Sequence, residues 1–433
     1  MEESLMSTIS FDIADWFVGA AGDPRELAAL RITVGPQAVP VTEVDDTLAK
    51  TVRRHIYVPA YDVARWLVVN WWRLRWEPQR KERTFDWLLS HSMAGIGGGH
   101  AWPALTFASD GERIRLQLSA EASPDVAAIR YLNNIDLSVP AADFERAVDQ
   151  FVDQVEARLA LLFPEERELT ELRAELADER KSDEQASLCK LQAIAGIDPG
   201  AAPHGWTEAA RRLIDRTGIL AAQEIVAANV SLEEAESVIA AMQRSPTVVT
   251  LESAHLYPSV GLTAELPWER GEREAAALRA RVGIDSGPIS QKRFEDLLSA
   301  KIPAPTDSWH GSRELLGGYR HDVKQGHTSV LMTARNEGSQ RFYLARLIGA
   351  AVGASGDQHV LPVSTANTAL QKFERAFAGA FLCPWAELDA YTDEHGTDED
   401  AVADAAKYFM VSEVLIVTTL VNKAKIPRSR LQG

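Results

Sequence analysis

The chain has 433 residues, 46% of them hydrophobic and 25% charged. At roughly 100–200 residues per domain this is two or three domains of ordinary globular chemistry, which excludes wholesale disorder, a collagen-like fibre and a long coiled coil. Forty-five Lys and Arg against 62 Asp and Glu leave a net charge of −17, so most of the surface repels phosphate and non-specific nucleic-acid binding is disfavoured. The two cysteines, Cys189 and Cys383, make neither a disulfide framework nor a thiolate zinc site and fit a reducing cytoplasm. The start, Met1–Leu5, lacks the basic and apolar segments of a secretion signal, and the densest apolar stretch, Trp66–Trp76, is interrupted by Asn70, Arg73 and Arg75. The expectation is a cytoplasmic protein with no membrane span.

Residues 1–139 read as an α+β domain. Ile9, Phe11 and Ile13 alternate with polar residues, as do Leu30, Ile32 and Val34, and period two marks half-buried strands. Asp110-Gly111 between Leu105-Thr106-Phe107 and Ile114–Leu118 predicts a tight hairpin, with Arg113, Arg115 and Gln117 on its outer face. From Ala64 to Trp76 apolar residues form two stripes around one helix, which predicts burial on two sides. The run Arg73, Arg75, Arg80, Lys81 and Arg83 is expected to be a solvated helix end, with a stacking platform for single-stranded nucleic acid as the alternative. His91 to His100 encloses Gly95, Gly97, Gly98 and Gly99 but lacks the phosphate-loop Lys-Ser/Thr and the dinucleotide spacing. It is expected to be a mobile linker, and no third metal ligand accompanies its two histidines.

Residues 140–245 read as helical. Phe144, Val148, Phe151, Val152, Val155, Leu159 and Leu162 recur at three and four, and Leu169, Leu172 and Leu176 continue the series past Pro164 as a charged, solvent-facing arm. Breaks are expected at Asp183–Ser187 and at Asp198-Pro199-Gly200. Helices at 208–216, 220–228 and 232–242 follow, the last capped by Ser231 with Glu234. A helix-turn-helix reading of these helices lacks a basic recognition helix.

Residues 246–433 begin with a β-branched strand, Thr247–Leu251, followed by a helix over 273–282, a short helix around Phe294, a strand at Ser329–Thr333 and a helix over 340–352. Local runs appear here in a telling order: Ala277–Ile284, Gly287-Pro288-Ile289, Val330-Leu331-Met332, Arg341-Phe342 through Gly349, Phe377-Ala378 through Leu382-Cys383-Pro384, and Tyr408-Phe409-Met410-Val411-Ser412. Over roughly residues 273–425 this resembles the ImmA/IrrE family of metallopeptidase domains. The resemblance implies a zincin-like, mostly helical domain with a small sheet. It also implies a zinc held by His-Glu-x-x-His on one helix and by a carboxylate from the next.

In the register that the resemblance sets, Arg346 stands at the first His, Leu347 at the Glu, Ala350 at the second His and Gln371 at the carboxylate. An arginine only donates, leucine and alanine have no ligating atom, and a neutral amide is a poor replacement. No catalytic residue, cofactor or metal is therefore expected. Arg346 should instead find Glu374, one turn beyond Gln371, as an acceptor between the two helices. The overall expectation is an α+β multidomain chain with a mixed amino-terminal domain, a helical middle and a degenerate peptidase domain. The resemblance implies a protein partner in a regulatory circuit of mobile elements, stress response, toxin–antitoxin systems or phage defence. Two alternatives stay open: a displaced metal site using His321, His327 or His359 in an active metallopeptidase, and a nucleic-acid-binding regulator.

Overall fold

In a computed structural model of the chain, contacts divide it into two units, Met1–Thr207 and Glu208–Gly433. The residues described are 8–17, 27–80, 82–120, 128–251, 265–284, 286–303, 313–333, 336–354 and 358–431. The amino-terminal segment Met1–Leu5 and Lys81 of the basic run lie outside them. No described helix is long and apolar enough to cross a membrane. The chain is α+β as expected. The helices expected as one middle region at 140–245 are instead shared between the two units.

The first unit opens with strands β1 (Ile9–Phe17) and β2 (Leu27–Val34), paired antiparallel, with β3 (Val39–Pro40) continuing the sheet. Ile9, Phe11, Leu30, Ile32 and Val34 are all buried, as their alternation requires. Strands β4 (Val44–Asp46) and β5 (Thr51–Arg53) belong to a second small sheet, and β6 (Ile56–Pro59) returns to pair with β2.

The two-striped segment is two helices, α1 (Ala60–Val69) and α2 (Trp71–Trp76), not one. Asn70 interrupts them, its backbone leaving the helical region while its side-chain amide donates to Trp66 O at 2.9 Å. Both stripes are buried, apart from the exposed Val69 and the partly buried Trp76. Arg73 and Arg75 are buried too, so at these two residues neither the solvated helix end nor the stacking platform holds, and Trp66, Trp71 and Trp72 are core.

After α3 (Phe85–His91), Met93–Ile96 form a 3₁₀ turn, and Gly97, Gly98 and Gly99 all take positive φ, a path that side-chain-bearing residues rarely follow. This segment is built into the fold: Met93 is wholly buried, its N–H donates to Leu105 O, and Trp102 Nε1 donates to Gly97 O. The hairpin forms as β7 (Thr106–Ser109) and β8 (Arg113–Leu118), with Asp110 Oδ1 accepting from the N–H groups of Glu112 and Arg113. Strand β9 (Ile129–Tyr131) joins β4, and β10 (Ile135–Pro140) joins β8, where Arg115 pairs with Asp136.

Helix α4 (Ala141–Leu162) buries Phe144, Val148, Phe151, Val152, Val155 and Leu159, so it is a core helix; α5 (Glu168–Lys181), which buries Leu169 and Leu176, packs on α1 and α6 (Asp183–Ile194). The break expected across Asp183–Ser187 falls instead at Ser182: these residues are the start of α6, which Ser182 caps by accepting from Gln185 N, with Asp183 and Glu184 in its first turn.

The second unit starts with α7 (Trp206–Thr217), which straddles the boundary, α8 (Ile219–Ala227) and α9 (Leu232–Arg244), where Ser231 Oγ accepts from Glu234 N. Strand β11 (Val248–Thr250), helices α10 (Pro267–Arg281) and α11 (Gln291–Leu298), strands β12 (Leu315–Asp322) and β13 (His327–Leu331), helix α12 (Glu337–Gly353) and strand β14 (Val360–Ser364) follow. The strands make one antiparallel sheet in the order β11-β13-β12-β14. At Gly317 of β12 a Cβ would lie 2.2 Å from Leu361 O of β14, so the strand can approach its neighbour only with glycine there. Helix α12 is buried on nearly every side, between this sheet and α13 (Ala369–Leu382). Helices α14 (Trp385–His395), α15 (Glu399–Phe409) and α16 (Glu413–Asn422) close the unit, Ser412 capping the last.

Candidate functional site

The site that sequence reasoning singles out lies between α12 and α13. Thr368 caps α13 by accepting from Gln371 N, and this fixes the phase that turns Gln371 and Glu374 inward, where both are wholly buried. Arg346 reaches them from α12. Its Nη2 donates to Gln371 Oε1 at 2.5 Å, to Ser364 O at 2.7 Å and to Glu374 Oε2 at 3.3 Å. The pairing expected between Arg346 and Glu374 is thus present, but its close acceptors are the amide and the backbone carbonyl. The amide is fully used. Gln371 Oε1 also accepts from Ser364 N at 2.8 Å, and Nε2 donates to Glu374 Oε1 at 3.1 Å and to Pro362 O at 3.3 Å.

Two residues that sequence reasoning missed complete the cluster. Glu224, the one charged residue on the apolar helix α8, accepts from Thr368 Oγ1 at 2.6 Å, and Arg375 of α13 donates to Ala366 O at 3.0 Å. A lone acid on a helix otherwise made of Ile, Leu, Ala, Val and Gln was the available signal.

Burial sets the protonation of the acids. It pushes Glu374 up to about 8, with Arg346 opposing and Glu224 adding to the rise, and pushes Glu224 up to about 7 against the hydrogen bonds from Thr368 and Gln371. Burial and the neighbouring Arg346 lower Arg375 to about 10. Desolvation outweighs the single 3.3 Å contact between Arg346 and Glu374, so Glu374 holds its proton well above the usual carboxylate range and the closest acceptors of Arg346 are neutral.

Zinc does not fit this donor set. Arg346 offers only N–H groups, the Gln371 amide is committed to four partners, Leu347 is buried and faces Gly318 of β12, and Ala350 has no ligating atom. The cluster joins α8, α12, α13 and the end of β14 by hydrogen bonds, and both of its carboxylates are closed to substrate.

The other candidate ligands stay apart. His321 Nε2 is bonded to Ser329 Oγ at 2.6 Å and His359 Nδ1 to Arg320 O at 2.9 Å, with Tyr319 packed against both rings. His327 starts the neighbouring strand, and among the described residues no three His, Cys, Asp or Glu side chains could share a metal. His91 stacks on Trp87 at 4.3 Å and is pushed down to about 3 by burial and by Arg73, whereas His100 packs on Trp102.

Arg73, Arg75 and Arg80 of the basic run are held by internal partners, and Arg83 is exposed. Arg73 Nε donates to Glu77 at 2.7 Å and Nη1 to Ser90 Oγ at 2.8 Å, Arg75 is bonded to Glu145, and Arg80 Nη2 donates to Ala195 O at 2.6 Å. Arg83 donates to Gln117 and lies over the Trp87 ring. Comparisons with protein-family models, with curated proteins and with solved structures returned no match to this chain.

Proposed function

We propose that the second unit is a degenerate peptidase domain of the ImmA/IrrE type that binds a protein partner and does not cleave it. One observation carries the reading. The resemblance assigns ligand slots to positions 346 and 371, on different helices and separated by a strand, and these two side chains touch at 2.5 Å. Slots that converge on an ion would stay close once the ion is replaced, and the contact between this guanidinium and this amide supports the reading.

The partner would be held elsewhere on the domain, as an added strand or in a groove, because such binding needs no zinc. The partner proposed is a regulator or a defence or toxin component in the cytoplasm, in keeping with the circuits that the resemblance implies. Co-expression with the products of neighbouring genes, followed by size-exclusion chromatography and intact-mass analysis, tests this. An intact complex is expected. A cleaved partner, or cleavage that appears on adding zinc, contradicts it.

A further inference from the structure

The first unit contains a cleft that plays no part in that reading. Helices α1, α2, α4 and α5 leave a cavity of about 210 Å³ walled by Val68, Trp71, Val148, Val152 and Leu176, with Arg173, Arg180 and Asp149 among its lining. An apolar cavity of roughly 150 Å³ is enough for a benzene-sized body. Trp71 is only 4% exposed, yet its indole N–H has no hydrogen-bond partner among the described residues. The adjacent Trp72 shows the contrast, since its Nε1 donates to Glu179 at 2.7 Å. A buried donor without an acceptor favours any ligand that brings one.

The second polar group is Arg180, whose guanidinium lies over the Trp71 ring, 4.4 Å from its centroid. Its own carboxylate contacts are long, 3.4 Å to Asp149 and 3.9 Å to Glu145, and Glu145 is bonded closely to Arg75. Arg173 differs: Asp153 at 2.5 Å and Glu156 hold it closely. Arg180 is therefore the cation at this cleft with donors to spare. Apolar walls, one orphan N–H and one loosely held guanidinium select a monoanion on an apolar body, and Asp149 beside them disfavours a phosphate dianion.

We propose that this cleft binds a small aromatic or branched aliphatic carboxylate, its carboxylate shared between Trp71 Nε1 and Arg180. The test is a titration of the full chain, labelled with ¹⁵N at tryptophan, with benzoate, isovalerate and the neutral benzamide. The Trp71 indole resonance is assigned as the one missing from Trp71→Phe. Benzoate and isovalerate should shift it with a dissociation constant on the order of 1 mM, as befits so few contact atoms. Arg180→Met should weaken this roughly tenfold, the loss of one charge-assisted hydrogen bond. Ala177→Phe, at a half-exposed position that lines the cleft, should fill it and abolish the shift. No shift at about 10 mM carboxylate would overturn the proposal, as would benzamide binding equally well or Arg180→Met binding unchanged. Should Ala177→Phe fail to fold, the Arg180→Met comparison alone decides.

Discussion

Arg346 shows how a single residue can be legible in sequence while its energetics are not. Its position opposite Glu374 follows from helix register, but the primacy of Gln371 does not, because amide orientation is set by Ser364 N and Pro362 O, which approach from a strand absent from the sequence reading. Gln371→Leu should therefore destabilise the protein by about 3–5 kcal/mol, since it leaves a guanidinium and a backbone N–H buried with fewer acceptors. Chemical denaturation measures this, and a change under about 0.5 kcal/mol would show that Arg346 finds solvent instead.

The buried acids add a pH dependence whose sign is fixed. Glu374 rises from its ordinary 4.5 to about 8 and Glu224 to about 7, so the folded state binds more protons than the unfolded one. Their contribution is complete below pH 4.5 and is lost as pH rises through about 7 and then about 8. Urea unfolding at about pH 5 and about pH 8.5 should show this fall, and Glu374→Gln should flatten it. An unchanged slope in Glu374→Gln would mean that Glu374 is ionised when folded.

At the scale of elements, periodicity identified what burial dictates. The alternation in β1 and β2, the hairpin at Asp110-Gly111 and the apolar series of α4 each carry their own pattern and each forms. Strands β12 and β14 were hidden, because Gly317-Gly318 and Pro362 are poor strand signals and make sense only against each other. The boundary between α1 and α2 was hidden for the opposite reason: the apolar stripes run straight through Asn70, and only its local backbone turn separates the helices. Trp71, the first residue of α2, should cost about 3–5 kcal/mol on replacement by Ala, as large buried aromatics do. A loss under about 0.5 kcal/mol would place it at the surface. Gly317→Ala should destabilise by about 2 kcal/mol or more through the clash with Leu361 O, and an unchanged denaturation midpoint would show that β12 and β14 can move apart.

Over the whole molecule, the net charge is −17, both cysteines are buried, and Arg73 and Arg80 are held by internal partners, while the proposed function rests on the second unit. The proposed function requires that positions 346, 350 and 371 are the vacated ligand slots of a metal centre. The direct test is zinc stoichiometry, by elemental analysis, of the natural chain and of the variant Arg346→His/Ala350→His/Gln371→Glu, each checked for native circular dichroism. No bound zinc is expected in the natural chain and about one equivalent in the variant, because three ligands on these two helices suffice for a tetrahedral site with water. Stoichiometric zinc in the natural chain, or a folded variant that takes up none, would contradict it.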